Sequence, residues 1–281
     1  HRDLHSFPTR RSSDLQANAF LNPNAYSPTS AAELDDLPLA ADRIEQAIRK
    51  GERIGIWGDF DVDGQTATTL LHAALQRLGA DVIYHIPIRR FESHGVNIPG
   101  LQRFLAQGVG VVLTCDTGIS AHNAAQFARQ TGLDFLITDH HSLPDELPPA
   151  LAVVNPQRSP PDHPLHSLPG VGVAYKLAEE LHRRAGRLQE LQNDLDLVAL
   201  GTVADLAALI GDARHLVQLG LEVLRQNKRP GLRALLELAE VNPAQLNETH
   251  IGFIIGPRLN ALGRLDDANP KIGRASCRER V

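Results

Sequence analysis

RIGIWGDFDVDG, residues 53–64, is the stretch that decides the architecture. Its first six residues form a short apolar run that reads as a strand, and a helical pattern follows from Thr66 to Leu78. The same alternation repeats down the chain. DVIYHI (81–86), VGVVLTC (109–115), DFLIT (134–138) and LAVVN (151–155) read as four more strands. Helical spacing separates several of them, at 99–107 and 119–130. Strands apolar on both faces with helices between them imply an α/β fold: a doubly wound, mainly parallel sheet of about five strands with helices on both faces. Eight of the eighteen prolines fall in 144–169, which reads as loop, and from Gly170 onward a helical C-terminal part follows, broken near Gly211, Pro230 and Pro243.

In a sheet of this kind chemistry gathers at the carboxyl ends of the strands. Asp59, Asp61 and Asp63 lie directly after the first strand, spaced by two and bracketed by Gly58 and Gly64. Alternate residues of an extended segment share a side, so the three carboxylates are expected to converge, and a cation must neutralise them. D-x-D-x-D-G also opens an EF-hand calcium loop. Here, however, a strand precedes it, and Leu70 stands where that loop needs a bidentate glutamate. Asp116 follows the third strand in CDTGIS, and Asp139-His140-His141 follows the fourth in ITDHH. One aspartate at a strand end is commonly a helix cap; three strands that agree point to a metal site. Carboxylate and imidazole ligands suit Mn²⁺ or Mg²⁺ rather than a thiolate-preferring metal, and a pair of such ions serves phosphoryl chemistry.

Composition sets the bounds. The chain has 281 residues, 42% hydrophobic and 22% charged, an ordinary globular balance. No apolar run is long enough for a membrane helix, which excludes that class of partner. Cys115 and Cys277 form no CxxC pair, so neither a disulfide scaffold nor a thiolate zinc site is indicated, and the cytoplasm is the expected compartment. Residues 1–15 and 272–281 are Arg/Ser-rich, lack periodicity, and read as non-native additions to a fragment that has no methionine. They carry a net +3 of the formal −5, which leaves −8 on the body. A polyanion would therefore be held by local patches or by metal ions, not by a bulk positive field.

DFDVDG, CDTG and TDHH, in that order, resemble the motifs of the DHH phosphoesterase superfamily. Four more segments are similar to the RecJ-type single-stranded-DNA-specific exonucleases within it: RRFESHGVN (89–97), LPGVGVAYKLA (168–178), LVALGTVADLAAL (197–209) and IGPRLNALGRLDDA (255–268). The resemblance covers about residues 35–270. It divides the chain into a DHH α/β catalytic core (16–165) and a helical part that completes it (166–271). One element departs from the family: its Gly-Tyr-Gly reads Ser93-His94-Gly95 here.

The resemblance implies a metal-dependent phosphodiesterase that cuts single-stranded DNA from the 5′ end, in DNA repair and recombination. Two ions, Mn²⁺ or Mg²⁺, would be ligated by Asp61, Asp63, Asp116, His140 and Asp205, with Asp59 and His141 also in the catalytic set. Asp205, in TVADLAA, reads as helical and comes from the resemblance alone. Arg258, Asn260 and Arg264 are placed near the DNA backbone, where arginine forks suit phosphate. Arg90 and Glu92 are expected either to orient the scissile phosphate or to brace the site. Cys115 reads as a buried thiol beneath it, and the run Arg225, Lys228, Arg229, Arg233 as a solvated face. A single-stranded-DNA-binding protein and a helicase are the partners that the family implies. The alternatives are a small-substrate phosphoesterase of the same superfamily, acting on oligonucleotides, cyclic dinucleotides or pyrophosphate, and a non-catalytic nucleic-acid binder.

Overall fold

The five apolar runs become five parallel strands: β1 Arg53–Trp57, β2 Val82–His85, β3 Val109–Cys115, β4 Asp134–Thr138 and β5 Ala152–Val154. They lie in the order β2-β1-β3-β4-β5, with Ile54 beside both Val82 and Val111, and Leu136 beside Leu113 and Ala152. The computed structural model describes residues 14–92, 94–265, 267 and 269. Of the terminal segments read as non-native, all but residues 14 and 15 lie outside the described residues.

The helices are α1 Asp14–Leu21, α2 Leu37–Lys50, α3 Val62–Arg77, α4 Arg89–Glu92, α5 Ile98–Ala106, α6 His122–Thr131, α7 Gly170–Arg184, α8 Leu195–Ala204, α9 Gly211–Arg225, α10 Pro230–Leu238, α11 Glu248–His250 and α12 Gly256–Leu265. A π-turn, Ile251–Ile255, joins the last two. Alternate strand residues feed two separate cores. Ile54, Ile56, Leu113 and Leu136 pack against Ala40 and Ile44 of α2, Leu70 and Leu71 of α3, and Ala174 of α7. Val112, Phe135 and Ile137 turn the other way, onto Leu101 and Phe104 of α5 and Ala125 of α6. Each fully buried Leu, Ile or Phe stabilises the fold by roughly 1.5–3 kcal/mol. A third cluster joins Ala199, Leu221, Leu236, Ile251 and Ile255 in the C-terminal helical part. Among the described residues no helix is long and apolar enough to cross a membrane.

Three local readings change. The helix after β1 starts at Val62 rather than Thr66, because Asp61 is extended (φ −80°, ψ −179°) and its Oδ1 accepts the Gly64 N–H at 3.0 Å as an N-cap. The acidic segment therefore turns at Asp61 instead of running extended to Asp63. Asp205 is not inside a helix: α8 ends at Ala204 and Asp205 is its C-cap residue. Arg229 is not solvated either. It is buried, with Nη2 2.9 Å from Asp194 Oδ1 and Nε 2.5 Å from Asp196 Oδ2.

Candidate metal centre

The strand order reverses direction between β1 and β3, which opens a crevice beyond their carboxyl ends. The turn 58–61 and the first turn of α3 enter it from β1, Asp116 from β3, and Asp139, His140 and His141 from β4. Asp116 has a left-handed backbone (φ 60°), a strained conformation for a residue other than glycine. Asp205 arrives from the end of α8.

Asp63 is buried, and its carboxylate reaches the start of α7. Oδ2 accepts the Gly170 N–H at 2.7 Å and Oδ1 the Val171 N–H at 2.8 Å. These are two of the donors that a helix leaves unpaired at its N-terminus. Gly170 is required by close approach: a Cβ there would lie 2.5 Å from Asp116 Cβ. The GVG of the 168–178 segment thus lets α7 press its amino end onto two acids at once.

His140 is the hub. Its Nε2 lies 3.1 Å from Asp116 Oδ1 and 3.8 Å from Asp63 Oδ2, and its Nδ1 lies 3.9 Å from Asp205 Oδ2. Two groups share it, Asp63/His140/Asp205 and Asp116/His140/His141, each with donor atoms within 4.8 Å of one another. Asp59 and Asp61 stand outside both groups as positioned; Asp59 Oδ1 accepts the Phe60 N–H at 2.7 Å. Burial, reinforced by neighbouring carboxylates, pushes Asp63 and Asp116 well above the usual carboxylate range. Burial also raises Asp59 and Asp205 to about 6 and lowers His140 to about 4. The Asp116 Oδ1 and His140 Nε2 atoms are buried and face each other at 3.1 Å without hydrogen-bond alignment, and neither has another hydrogen-bond partner among the described residues. Carboxylates crowded together around a neutral imidazole, with its coordinating nitrogen unpaired, fit a divalent cation of the Mg²⁺ or Mn²⁺ type.

Asp139, which the strand-end pattern marked but the expected ligand set left out, supports this group. It is buried and accepts four donors: the Ile119 N–H (2.9 Å), the His140 N–H (2.7 Å), the His141 N–H (3.1 Å) and His141 Nδ1 (2.7 Å). The His141 hydrogen bond holds Asp139 below the usual range against its burial, and the same bond raises His141 to about 9. Asn155, at the end of β5, donates from Nδ2 to the His141 carbonyl at 3.0 Å. Both follow strands directly, and the strand-end rule that singled out Asp116 applies equally to them.

The remaining candidates lie around this centre. Glu92 accepts the Ile88 N–H at 3.0 Å and pairs with His85 (3.0 Å) and Arg103, so it braces the end of β2. Arg90 is exposed over the Phe91 ring. Cys115 is buried, 3.3 Å from Thr68 Oγ1, and burial raises its thiol to about 12. Arg258 is exposed and donates to the Ile254 carbonyl at 2.7 Å. Asn260 faces inward, where its Oδ1 accepts the Val62 N–H at 3.0 Å. Arg264 lies in α12, but its side chain, like Ser93 and Cys277, lies outside the described residues.

Residues 53–202 match the family described as "DHH family, N-terminal domain". The chain is 42% identical over 241 residues to the single-stranded-DNA-specific exonuclease RecJ of Bacillus subtilis (strain 168). That match covers 85% of this chain and 30% of the Bacillus protein, so the chain spans about a third of that relative's length. Among solved structures it is similar to an exonuclease RecJ bound to manganese, with a TM-score of 0.81 and 35% identity over 90% of this chain and 63% of the other. It is also similar to RecJ from Thermus thermophilus in complex with Mn²⁺, with a TM-score of 0.77 and 32% identity over 94% of this chain and 39% of the other.

Proposed function

The chain belongs to the DHH family, and from its metal centre we propose that it hydrolyses phosphodiester bonds in single-stranded DNA, starting at the 5′ end. The observation that carries the reading is the convergence of Asp63, Asp116 and Asp205 on His140, whose Nε2, like Asp116 Oδ1, has no hydrogen-bond partner among the described residues. The substrate is supported by the relatives' names, single-stranded-DNA-specific exonucleases. The direction of digestion and the role in DNA repair and recombination follow from the motif resemblance.

In this reading Asp61, Asp63, Asp116, His140 and Asp205 would hold two divalent cations, Mn²⁺ or Mg²⁺, and Asp59 supports the turn that carries the first two. Bound there, such ions would neutralise phosphate charge and lower the pKa of a water toward neutrality. Asp139 keeps His141 protonated at neutral pH, so His141 donates to a nonbridging phosphate oxygen and stabilises the charge that develops there. The motif resemblance assigns Arg258 and Arg264, both on α12, to the DNA backbone. The cytoplasm, a single-stranded-DNA-binding protein and a helicase are the setting proposed with this activity.

The test is digestion of end-labelled single-stranded DNA in Mn²⁺, with either the 5′ or the 3′ end blocked, beside a blunt duplex. Release of mononucleotides that stops with the 5′ block and with chelator is the expected result. Turnover of dinucleotides or cyclic dinucleotides alone would move the assignment to a small-substrate phosphoesterase. DNA binding without hydrolysis would make it a binding module.

A further inference from the structure

We propose that Asn260 is a positioning residue for the metal centre: its carboxamide oxygen holds the Val62 amide and thereby keeps Asp61 and Asp63 in register with Asp205. This rests on the metal-binding reading above and gives Asn260 a role other than contact with DNA.

The first N–H groups of a helix have no partner within it. In α3 the Gly64 N–H is taken by Asp61 Oδ1, whereas the Val62 N–H points out of the helix. Val62 is buried, and its acceptor comes from 198 residues further along, Asn260 Oδ1 at 3.0 Å. Val62 lies between the two proposed ligands Asp61 and Asp63 in sequence. A hydrogen bond at this amide therefore acts on both neighbours through one peptide unit on each side.

The rest of α12 makes that bond a register pin. Near the carboxyl end of α12, Gly263 lies so close to the turn that a Cβ would sit 1.8 Å from the Phe60 carbonyl oxygen. At the amino end a Cβ on Gly256 would come 3.5 Å from Ala204 Cβ, the residue before Asp205. The helix therefore spans the two flanks of the centre, the 59–63 turn and the end of α8, with Asn260 bonded between the two contacts. Asparagine suits the place because it accepts without charge. A carboxylate here would add to a cluster whose acids already repel one another.

Mn²⁺ affinity measured by calorimetry is the readout, with the melting temperature of the metal-free protein and the split between kcat and KM on DNA beside it. Residues that orient ligands without coordinating typically change metal affinity by 10–100-fold, and for Asn260→Ala a loss of about tenfold is expected. KM for DNA at saturating Mn²⁺ should change less than about twofold, because Asn260 acts through the metal site. Val62→Pro removes the donor instead of the acceptor. Proline is favoured at the first helical position, and Asp61 already has the extended conformation that a following proline requires. Val62→Pro should show the same loss, and the double variant no more than either alone. Asn260→Leu keeps the bulk and removes only the acceptor, which leaves the test open if another variant does not fold. Wild-type Mn²⁺ affinity in Asn260→Leu, or losses that multiply in the double variant, would overturn the proposal. A raised KM for DNA with unchanged metal affinity would return Asn260 to DNA contact. Failure of the wild type to bind Mn²⁺ would instead remove the metal-binding reading itself.

Discussion

Two regions of this molecule bury aspartates, and they do it in opposite ways. Beneath α7 and α9, Asp212 is buried beside the buried Lys176 Nζ at 2.9 Å and also accepts the Tyr26 hydroxyl at 2.8 Å. Asp194 and Asp196 share the buried Arg229. At the carboxyl edge of the sheet, Asp63 and Asp116 are as deeply buried, yet their nearest titratable neighbours among the described residues are other acids and His140, whose pKa is about 4. An unpaired buried charge costs several kcal/mol. A chain that supplies cations for its structural acids and, among the described residues, none for Asp63 and Asp116 leaves the second set to an external ion.

The sharpest test removes one charge from the unpaired set. Asp116→Asn keeps the size and suits the left-handed backbone of that position, where asparagine is well tolerated. Mn²⁺-dependent hydrolysis should fall more than about 100-fold. The metal-free melting temperature should rise, by about 2–4 °C for each kcal/mol of repulsion relieved. A lower melting temperature would mean that Asp116 is stabilised by its surroundings, and the contrast would fail.

The paired region should respond in the reverse sense. Arg229→Ala strands the buried carboxylate of Asp196 and leaves Asp194 with Arg77, and it should cost about 3–5 kcal/mol of stability in a denaturant titration. Activity per folded molecule should stay near wild type. A large loss of kcat with intact stability would instead tie this network to the site.

The Asp139–His141 pair mixes the two habits, being an ion pair placed at the metal edge. The folded pKa of His141, about 9, stands above its ordinary 6.5, so its contribution is full below pH 6.5 and is lost as pH rises toward 9. Metal-free melting temperatures should decline across that window, and Asp139→Asn should flatten the decline. The effect should be small, because the His141 side chain is more than half exposed. A slope unchanged in Asp139→Asn would assign the decline to other groups.

Smallest of all is the effect expected at the exposed Arg258, which among the described residues has no buried acid to serve. Arg258→Ala should weaken binding of long single strands and lower the salt-dependence slope by about one unit or less. Wild-type slope and affinity would make this arginine a solvated surface group.

The strands were legible because parallel strands buried on both faces must be apolar throughout, and each of the five lies within a residue or two of its sequence reading. Helix boundaries were less so. The start of α3 depends on which aspartate caps it, and an Asp-rich turn looks the same whether extended or capped. The helix α2 carries a plain stripe of Leu37, Ala40, Ala41, Ile44 and Ala47, yet a reading that starts from the chemistry at Arg53 passes it by. Arg229 misled because three basic neighbours suggest a wet face, whereas Asp194 and Asp196, from a different element, draw it inward.

Sequence by itself determined the fold class and the edge at which the chemistry sits, since apolar runs report burial and the residue after each strand has an assigned place. It also placed Asp116 and His140 at those ends, where the structure has them. Tertiary structure alone decided the rest. It put β1 beside β3 although β2 lies between them in the chain, it carried Asp63 to the amides of Gly170 and Val171, and it set Asn260 against Val62. The physical reason is common to all three. A hydrogen bond between residues more than fifty positions apart leaves no mark on local periodicity, because periodicity reports only which side of an element is buried and not what it meets there.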